Sequence, residues 1–164
     1  MSYRPPNLVV QYRLINPELW FSGLSLWIKQ SWIKMSVDFE ISTIIVASPQ
    51  EIYVAWLDSE RHAAMTGSAA RCSEQVGDSF DAWDGYIHGI NLALEPAKRI
   101  VQSWRTIEFN ESDPDSQIEL TFEPVVGGTK VTLRHSNLPA HGDQYKQGWV
   151  DSYFEPMKEY FERS

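Results

Sequence analysis

The chain has one cysteine, Cys72, in 164 residues. That excludes an internal disulfide and any cysteine-based zinc cluster, and makes a reducing cytoplasmic compartment the simplest home. Basic residues are scarce: 14 Lys and Arg stand against 22 Asp and Glu, for a net charge of −8. An acidic body repels phosphate backbones, so a nucleic-acid partner is not expected. Long apolar runs are absent too. The best uncharged stretch, Leu19 to Ile28, has ten residues, where a membrane span needs about twenty. Glu18 interrupts the start, and no small-residue cleavage pattern follows as a signal peptide would require. No glycine-rich phosphate loop occurs, because Gly127-Gly128 reads as a hairpin turn with no helix after it. Serine and cysteine nucleophile signatures are missing. His88 and His135 do not share one element and have no obvious third ligand, so neither a metal nor a cofactor is expected.

Aromatic residues are plentiful: seven Trp, seven Tyr and seven Phe, 13% of the chain. Their setting changes along the sequence. Residues 1–34 carry +3, with Arg4, Arg13, Lys29 and Lys34 against Glu18, which leaves −11 on the remainder. They hold Trp20, Phe21, Trp27 and Trp32 without a clean strand or turn pattern. Three readings fit them: an extension outside the fold, which we prefer; an amphipathic helix covering the domain or a partner; or a membrane-interface anchor. Residues 35–164 read as one domain, long enough for a single core.

The pattern from Asp38 onward is explicit. Asp38–Val46 alternates with β-branched residues, which predicts a strand. Ser48-Pro49-Gln50-Glu51 offers an N-cap serine, proline at the first helical position and a capping-box glutamate. The helix it opens turns Ile52, Ala55 and Trp56 inward and ends near Leu57. A second short helix, Ser59–Met65, stops at Gly67. Strands are predicted at about 69–74, 79–83, 86–94 and 98–107, with a hairpin of 118–126 and 129–135. A final helix, about Asp143 to Glu162, places Tyr145, Trp149, Tyr153 and Met157 on one face. Gly148 inside it suits close approach to a sheet, and Pro156 predicts a kink. The sheet's apolar face has one large partner left, the terminal helix. The expected fold is therefore α+β, a curved antiparallel sheet gripping that helix, with two short helices after the first strand.

Hairpin register assigns the faces. A two-residue Asp84-Gly85 loop pairs Trp83 with Tyr86 and Asp81 with His88, and that face continues as Ile90, Leu92 and Leu94. A Gly127-Gly128 loop pairs Phe122 with Leu133 and Leu120 with His135. A three-residue loop after Glu95 turns Ile100 and Trp104 inward; a two-residue one would turn Val101 and Ser103 inward instead. The expected cavity wall therefore includes Trp83, Tyr86, His88, Ile90 and Leu92 from one hairpin. Leu120, Phe122, Leu133 and His135 come from the other. Trp56, Trp104, Trp149 and Tyr153 complete it, although all four are first of all core residues. Asp81 opposite His88 is the one pair suited to proton transfer. Mutual satisfaction near a wet rim is the preferred reading of that pair. For His135 the preferred reading is a hydrogen bond to the Ser136–Pro139 loop. His62 is expected to be solvated or capping, and Cys72 packed.

Five segments carry a family resemblance: DSERHAAMTG (Asp58–Gly67), AWDGYIHGINLAL (Ala82–Leu94), RIVQSW (Arg99–Trp104), GTKVTLRHSNLP (Gly128–Pro139) and GWVDSYFEPMKEYF (Gly148–Phe161). Together they resemble the family named for the C-terminal domain of the activator of Hsp90 ATPase, within the START-like, helix-grip superfamily. The resemblance spans Val37 to Phe161. It implies a helix-grip fold with an elongated cavity, and a cytoplasmic setting linked to the stress response. The eukaryotic co-chaperones also carry a separate N-terminal domain important for engaging Hsp90, and residues 1–34 are too short to be one. Three functions follow, in this order: binding of a hydrophobic small molecule; a co-chaperone-like interaction with a chaperone or another protein; and a cyclase- or hydrolase-type enzyme using Asp81 and His88.

Overall fold

The computed structural model describes residues 36–163. The extension at 1–34 lies outside them. The described residues open with β1 (Val37–Ile45), then two short helices, α1 (Pro49–Leu57) and α2 (Ser59–Thr66). Five strands follow: β2 (Ser79–Ala82), β3 (Ile87–Glu95), β4 (Arg99–Thr106), β5 (Ser116–Val125) and β6 (Gly128–Leu138). The C-terminal helix is α3 (Gln144–Trp149), a π-helical turn (Val150–Phe154) and α4 (Glu155–Glu162) in one run. The six strands form one antiparallel sheet ordered β1-β6-β5-β4-β3-β2. Its inner face packs on the helices, the architecture expected of a helix grip.

Local chemistry sets the ends of the short helices. Ser48 Oγ accepts the Glu51 N–H while the Glu51 carboxylate accepts the Ser48 N–H at 2.8 Å, a complete capping box. Asp58 caps α2 through the Arg61 N–H at 2.8 Å. Gly67 ends it at φ 79°, a left-handed conformation that glycine adopts without steric cost.

The core is continuous from sheet to helix. Ile45, Ile100, Leu120, Val131, Leu133 and Met157 are fully buried, and Trp56, Trp149 and Phe154 nearly so. The β5–β6 loop is Val126-Gly127, since Val125 pairs with Gly128. Phe122 therefore faces Val131, and Leu120 faces Leu133, two residues from the expected register. A slip of two keeps every side chain on its own face, so the inward set of β5 and β6 stands. The β3–β4 loop has three residues: Glu95 pairs with Arg99, and Ala97 takes φ 57°. Ile100 and Trp104 point inward accordingly.

Elsewhere expectation and structure differ. No strand forms at 69–74; the segment has a single β-bridge to the sheet, Arg71–Asp81. The β2–β3 loop spans Trp83 to Tyr86. Trp83, Asp84 and Gly85 all have positive φ, and Asp81 still pairs with His88. Three left-handed residues interrupt the strand alternation, so Trp83 and Tyr86 do not share a face with Asp81 and His88. Leu92 is a bulge: Asn91 pairs with Gln102 and Ala93 with Val101. Before the bulge, Ile87, Gly89 and Asn91 face inward and His88 and Ile90 outward. After it, Leu94 pairs with the inward Ile100.

The C-terminal helix departs from expectation at two points. A Cβ on Gly148 would meet nothing within 4 Å, so this glycine does not serve a close approach to the sheet. The irregularity expected at Pro156 is the π turn just before it, where the Glu155 N–H reaches back five residues to the Val150 carbonyl. Proline has no N–H for the Ser152 carbonyl, and the widened turn delivers the chain to that break.

Candidate functional site

The expected wall residues separate into three groups. His88 is exposed, and Ile90 and Leu92 are 43% and 45% exposed on the outer face. They do not line an interior. The parity that suggested otherwise was carried through Trp83 and Tyr86, where the left-handed turn breaks it. Asp81 lies on the same outer face, in a broad hollow with His88, and pairs with Arg71 at 2.6 Å. Its partner is a cation in solvent, so the basis for a proton-transfer pair is gone.

A second group is core. Trp56, Leu120, Phe122, Leu133 and His135 are all at most 5% exposed and packed together. His135 belongs to a determined chain of hydrogen bonds. The Trp149 indole N–H donates to Nδ1 at 3.0 Å. Nε2 must then carry the proton, which it gives to Ser116 Oγ at 2.8 Å, and Ser116 donates to the Trp104 carbonyl at 2.7 Å. Burial lowers the His135 pKa to about 3, so the ring is neutral and structural. Its partners are Ser116 and Trp149, not the Ser136–Pro139 loop. His62 is also buried, contrary to expectation. Its Nδ1 donates to the Trp56 carbonyl at 2.8 Å, and burial lowers its pKa as well.

The third group, Trp83, Tyr86, Trp104, Trp149 and Tyr153, surrounds a cleft of about 380 Å³. It opens between the β2–β3 turn and the first half of the C-terminal helix. Ile87 and Glu108 extend its sheet side, and Gln144, Tyr145, Gly148 and Ser152 its helix side. The helical residues recur at three- and four-residue spacing, one face of a helix. Tyr145 and Gly148 showed that spacing in the sequence, but Glu108, just past β4, gave no signal.

The rings of the cleft meet at angles. Trp149 and Tyr153 are 4.6 Å apart at 41°, Trp104 and Trp149 5.7 Å at 43°. Trp104 and Tyr145 are 5.0 Å apart at 79°, and Trp83 and Tyr153 6.3 Å at 64°. The Trp104 indole N–H has no acceptor among the described residues. Polar groups collect at the rim. Tyr145 Oη lies 2.8 Å from Thr106 Oγ1 and donates to Glu108 at 3.4 Å; Gln144 donates to the same carboxylate at 3.2 Å. Burial, then the bond to Glu108, pushes the Tyr86 hydroxyl up to about 12, so it remains a phenol. Burial likewise pushes the Cys72 thiol up to about 12, away from nucleophilic behaviour. Among the described residues no cluster of His, Cys, Asp and Glu could hold a metal, and no helix is long and apolar enough to cross a membrane.

What remains on the inner face of β3 and β4 is polar and closed. Gln102 donates to Asn91 at 2.7 Å and accepts from the Trp56 indole at 3.1 Å. Asn91 donates onward to the carbonyls of Ser73 and Gln75 at 2.8 and 3.1 Å, fastening the 73–78 segment to the sheet.

Residues 46–162 match the family described as Activator of Hsp90 ATPase homolog 1-like protein. The human activator of 90 kDa heat shock protein ATPase homolog 1 is 32% identical over 117 residues, covering 71% of this chain and 34% of that protein. The chain thus spans about a third of the curated relatives it matches. An HSP90 activator from Plasmodium falciparum superposes with a TM-score of 0.69 at 26% identity, over 74% of this chain and 94% of that one. The Aha1 dimer from Colwellia psychrerythraea shares the fold, with a TM-score of 0.65 at 21% identity over 76% of this chain and 96% of that one.

Proposed function

This chain belongs to the Activator of Hsp90 ATPase homolog 1-like family, and on that premise we propose that its domain binds a hydrophobic small molecule in the cleft beneath the C-terminal helix. The observation that supports this is the cleft's size and lining: about 380 Å³, walled mainly by aromatic side chains with a few polar groups at the rim. Ligand pockets are usually about 300–1,000 Å³ and of that composition. In the same reading residues 35–164 act as one cytoplasmic domain and residues 1–34 as an extension to it.

The test is saturable binding of Nile red, a neutral apolar dye, to the wild type and to Gly148→Phe. The added ring starts from a position where a Cβ meets open space, so it fills the cleft without displacing core atoms. Wild type should bind one dye per chain, and Gly148→Phe should lose it at unchanged melting temperature. Binding that is absent in the wild type, or identical in both, would overturn the reading.

A second reading rests on the relatives rather than the cleft. Two of them are named as activators of the 90 kDa heat shock protein, and the acidic chain suits a basic partner surface. The role here would be a co-chaperone-like contact with Hsp90. Pull-down with purified Hsp90 at low and high salt tests it: retention lost at high salt supports an electrostatic contact, and none at either salt rejects it.

A further inference from the structure

We infer that the ligand of the cleft is an organic cation with a compact, alkylated ammonium head, seated among the aromatic rings with its charge toward Glu108. This rests on the small-molecule reading above and adds the charge and shape of the ligand. Three observations lead to it. Six residues of the cleft are aromatic: Trp83, Tyr86, Trp104, Tyr145, Trp149 and Tyr153. Electron-rich ring faces attract cations, tryptophan most strongly. The one ionisable carboxyl of the lining is Glu108, and neither lysine nor arginine is present there among the described residues. With a net charge of −8, the molecule favours the approach of cations over anions.

Shape selects the kind of cation. The lining rings meet at mutual angles of 41°, 43°, 64° and 79° and not in parallel stacks, an arrangement closer to the corners of a box than to a flat slot. A slot of parallel rings would suit a flat molecule; a box suits a tetrahedral head such as trimethylammonium. Such a head offers no N–H, so it needs ring faces and a nearby carboxylate rather than hydrogen-bond acceptors. The rim agrees with that need. Glu108 already accepts from Tyr145 and Gln144 and is bonded by the Tyr86 hydroxyl, neutral donors that hold its carboxylate at the cleft without cancelling its charge. A fatty acid or an organic phosphate would instead bring a second negative charge to Glu108.

The experiment compares two molecules of equal shape: (4-hydroxymethylphenyl)trimethylammonium and its neutral carbon isostere, 4-tert-butylbenzyl alcohol. Titration calorimetry on the full chain should show the cation binding about tenfold tighter or more, the scale of a desolvated cation–π contact with a counter-charge. Glu108→Gln, which can still accept from Tyr145, should remove most of that ratio and leave the isostere unchanged. Gly148→Lys and Gly148→Gln add side chains of comparable bulk into open space. Only the lysine variant should abolish the preference for the cation. Equal affinities for the two molecules, or a preference unmoved by Glu108→Gln and Gly148→Lys, would overturn the inference and leave an uncharged ligand standing. If neither molecule binds and Nile red fails as well, the small-molecule reading falls with it.

Discussion

The two halves of the sheet solve the same problem in opposite ways. Across β1, β6 and β5 the inner face is mainly apolar, with Val131, Leu133, Ile118 and Leu120 each at most 1% exposed beside the buried His135–Ser116 pair, while Lys130, Arg134 and Glu123 point out. Across β3 and β4 the polarity is partly reversed. Asn91 and Gln102 are 1% and 2% exposed inside, while Ile90 and Leu92 face solvent. A strand alternating the usual way is held by burial of area; an inverted one is held by closing every buried hydrogen bond. The difference also divides the molecule's roles. The apolar half is filled, and the cleft opens where β3 and β4 meet the helix.

The largest effect that separates the halves is expected at Leu133. It is fully buried, so Leu133→Ala removes transfer energy and leaves a cavity, at a cost of about 2–5 kcal/mol. Urea unfolding followed by tryptophan fluorescence measures it. A cost below about 1 kcal/mol would mean that this half does not carry the stability assigned to it.

The next effect is pH-dependent. His135 has an ordinary pKa of 6.5, which burial lowers to about 3 in the fold. The unfolded chain takes up a proton below pH 6.5 that the folded chain refuses until about pH 3. Its contribution is therefore complete above pH 6.5 and declines as pH falls through the window between the two values, by about 1.4 kcal/mol per unit. His62, whose pKa burial also lowers, acts in the same direction. Unfolding at pH 7 and pH 5 should show the loss, and His135→Leu should flatten the slope. An unchanged slope in that variant would place the proton uptake elsewhere.

A smaller effect belongs to the inverted half. Gln102→Ala leaves the Asn91 side chain and the Trp56 indole without the partners they have at 2.7 and 3.1 Å. Buried groups left unsatisfied cost about 1–3 kcal/mol. Gln102→Leu should cost no less, because its bulk restores volume but no hydrogen bond. Recovery of stability in the leucine variant would show that packing, not the network, holds β3.

The sequence makes these halves unequally readable, and for a physical reason. Capping box, glycine stop and hairpin parity on β5 and β6 are local signals, and each survives folding: Ser48, Gly67 and Leu133 sit where their chemistry directs. Register there is forgiving, because a slip of two residues changes partners but not faces. On β3 one left-handed turn and one bulge determine the faces, and neither leaves a strong mark. Asp84-Gly85 marks a turn, but Trp83, also at positive φ, looks like an ordinary strand-end residue. Asn91 looks like a solvent-facing residue until Ser73, Gln75 and Gln102 are seen around it. Trp83, Tyr86, Trp104, Trp149 and Tyr153 reach the cleft because aromatic residues are placed inward by their size. Glu108 carries no pattern at all, since it lies just beyond a strand and acts through its position in space.

The smallest expected effect bears most directly on that lesson. Ile90 reads as core by its chemistry and by its alternation with His88 and Leu92, yet it is 43% exposed on the outer face. Its backbone N–H is satisfied by Ser103 Oγ at 2.9 Å, an interaction independent of its side chain. Ile90→Thr keeps β-branching and removes only partly exposed apolar surface, so stability should change by no more than about 0.5 kcal/mol. Leu133→Thr, the same kind of change three strands along in the sheet, should cost several times more, because it buries a hydroxyl and loses packed volume together. Measured side by side, the two substitutions test the face assignment without any ligand. Equal costs would return Ile90 to the interior, and with it the wall that the left-handed turn at Trp83 and Asp84 removed.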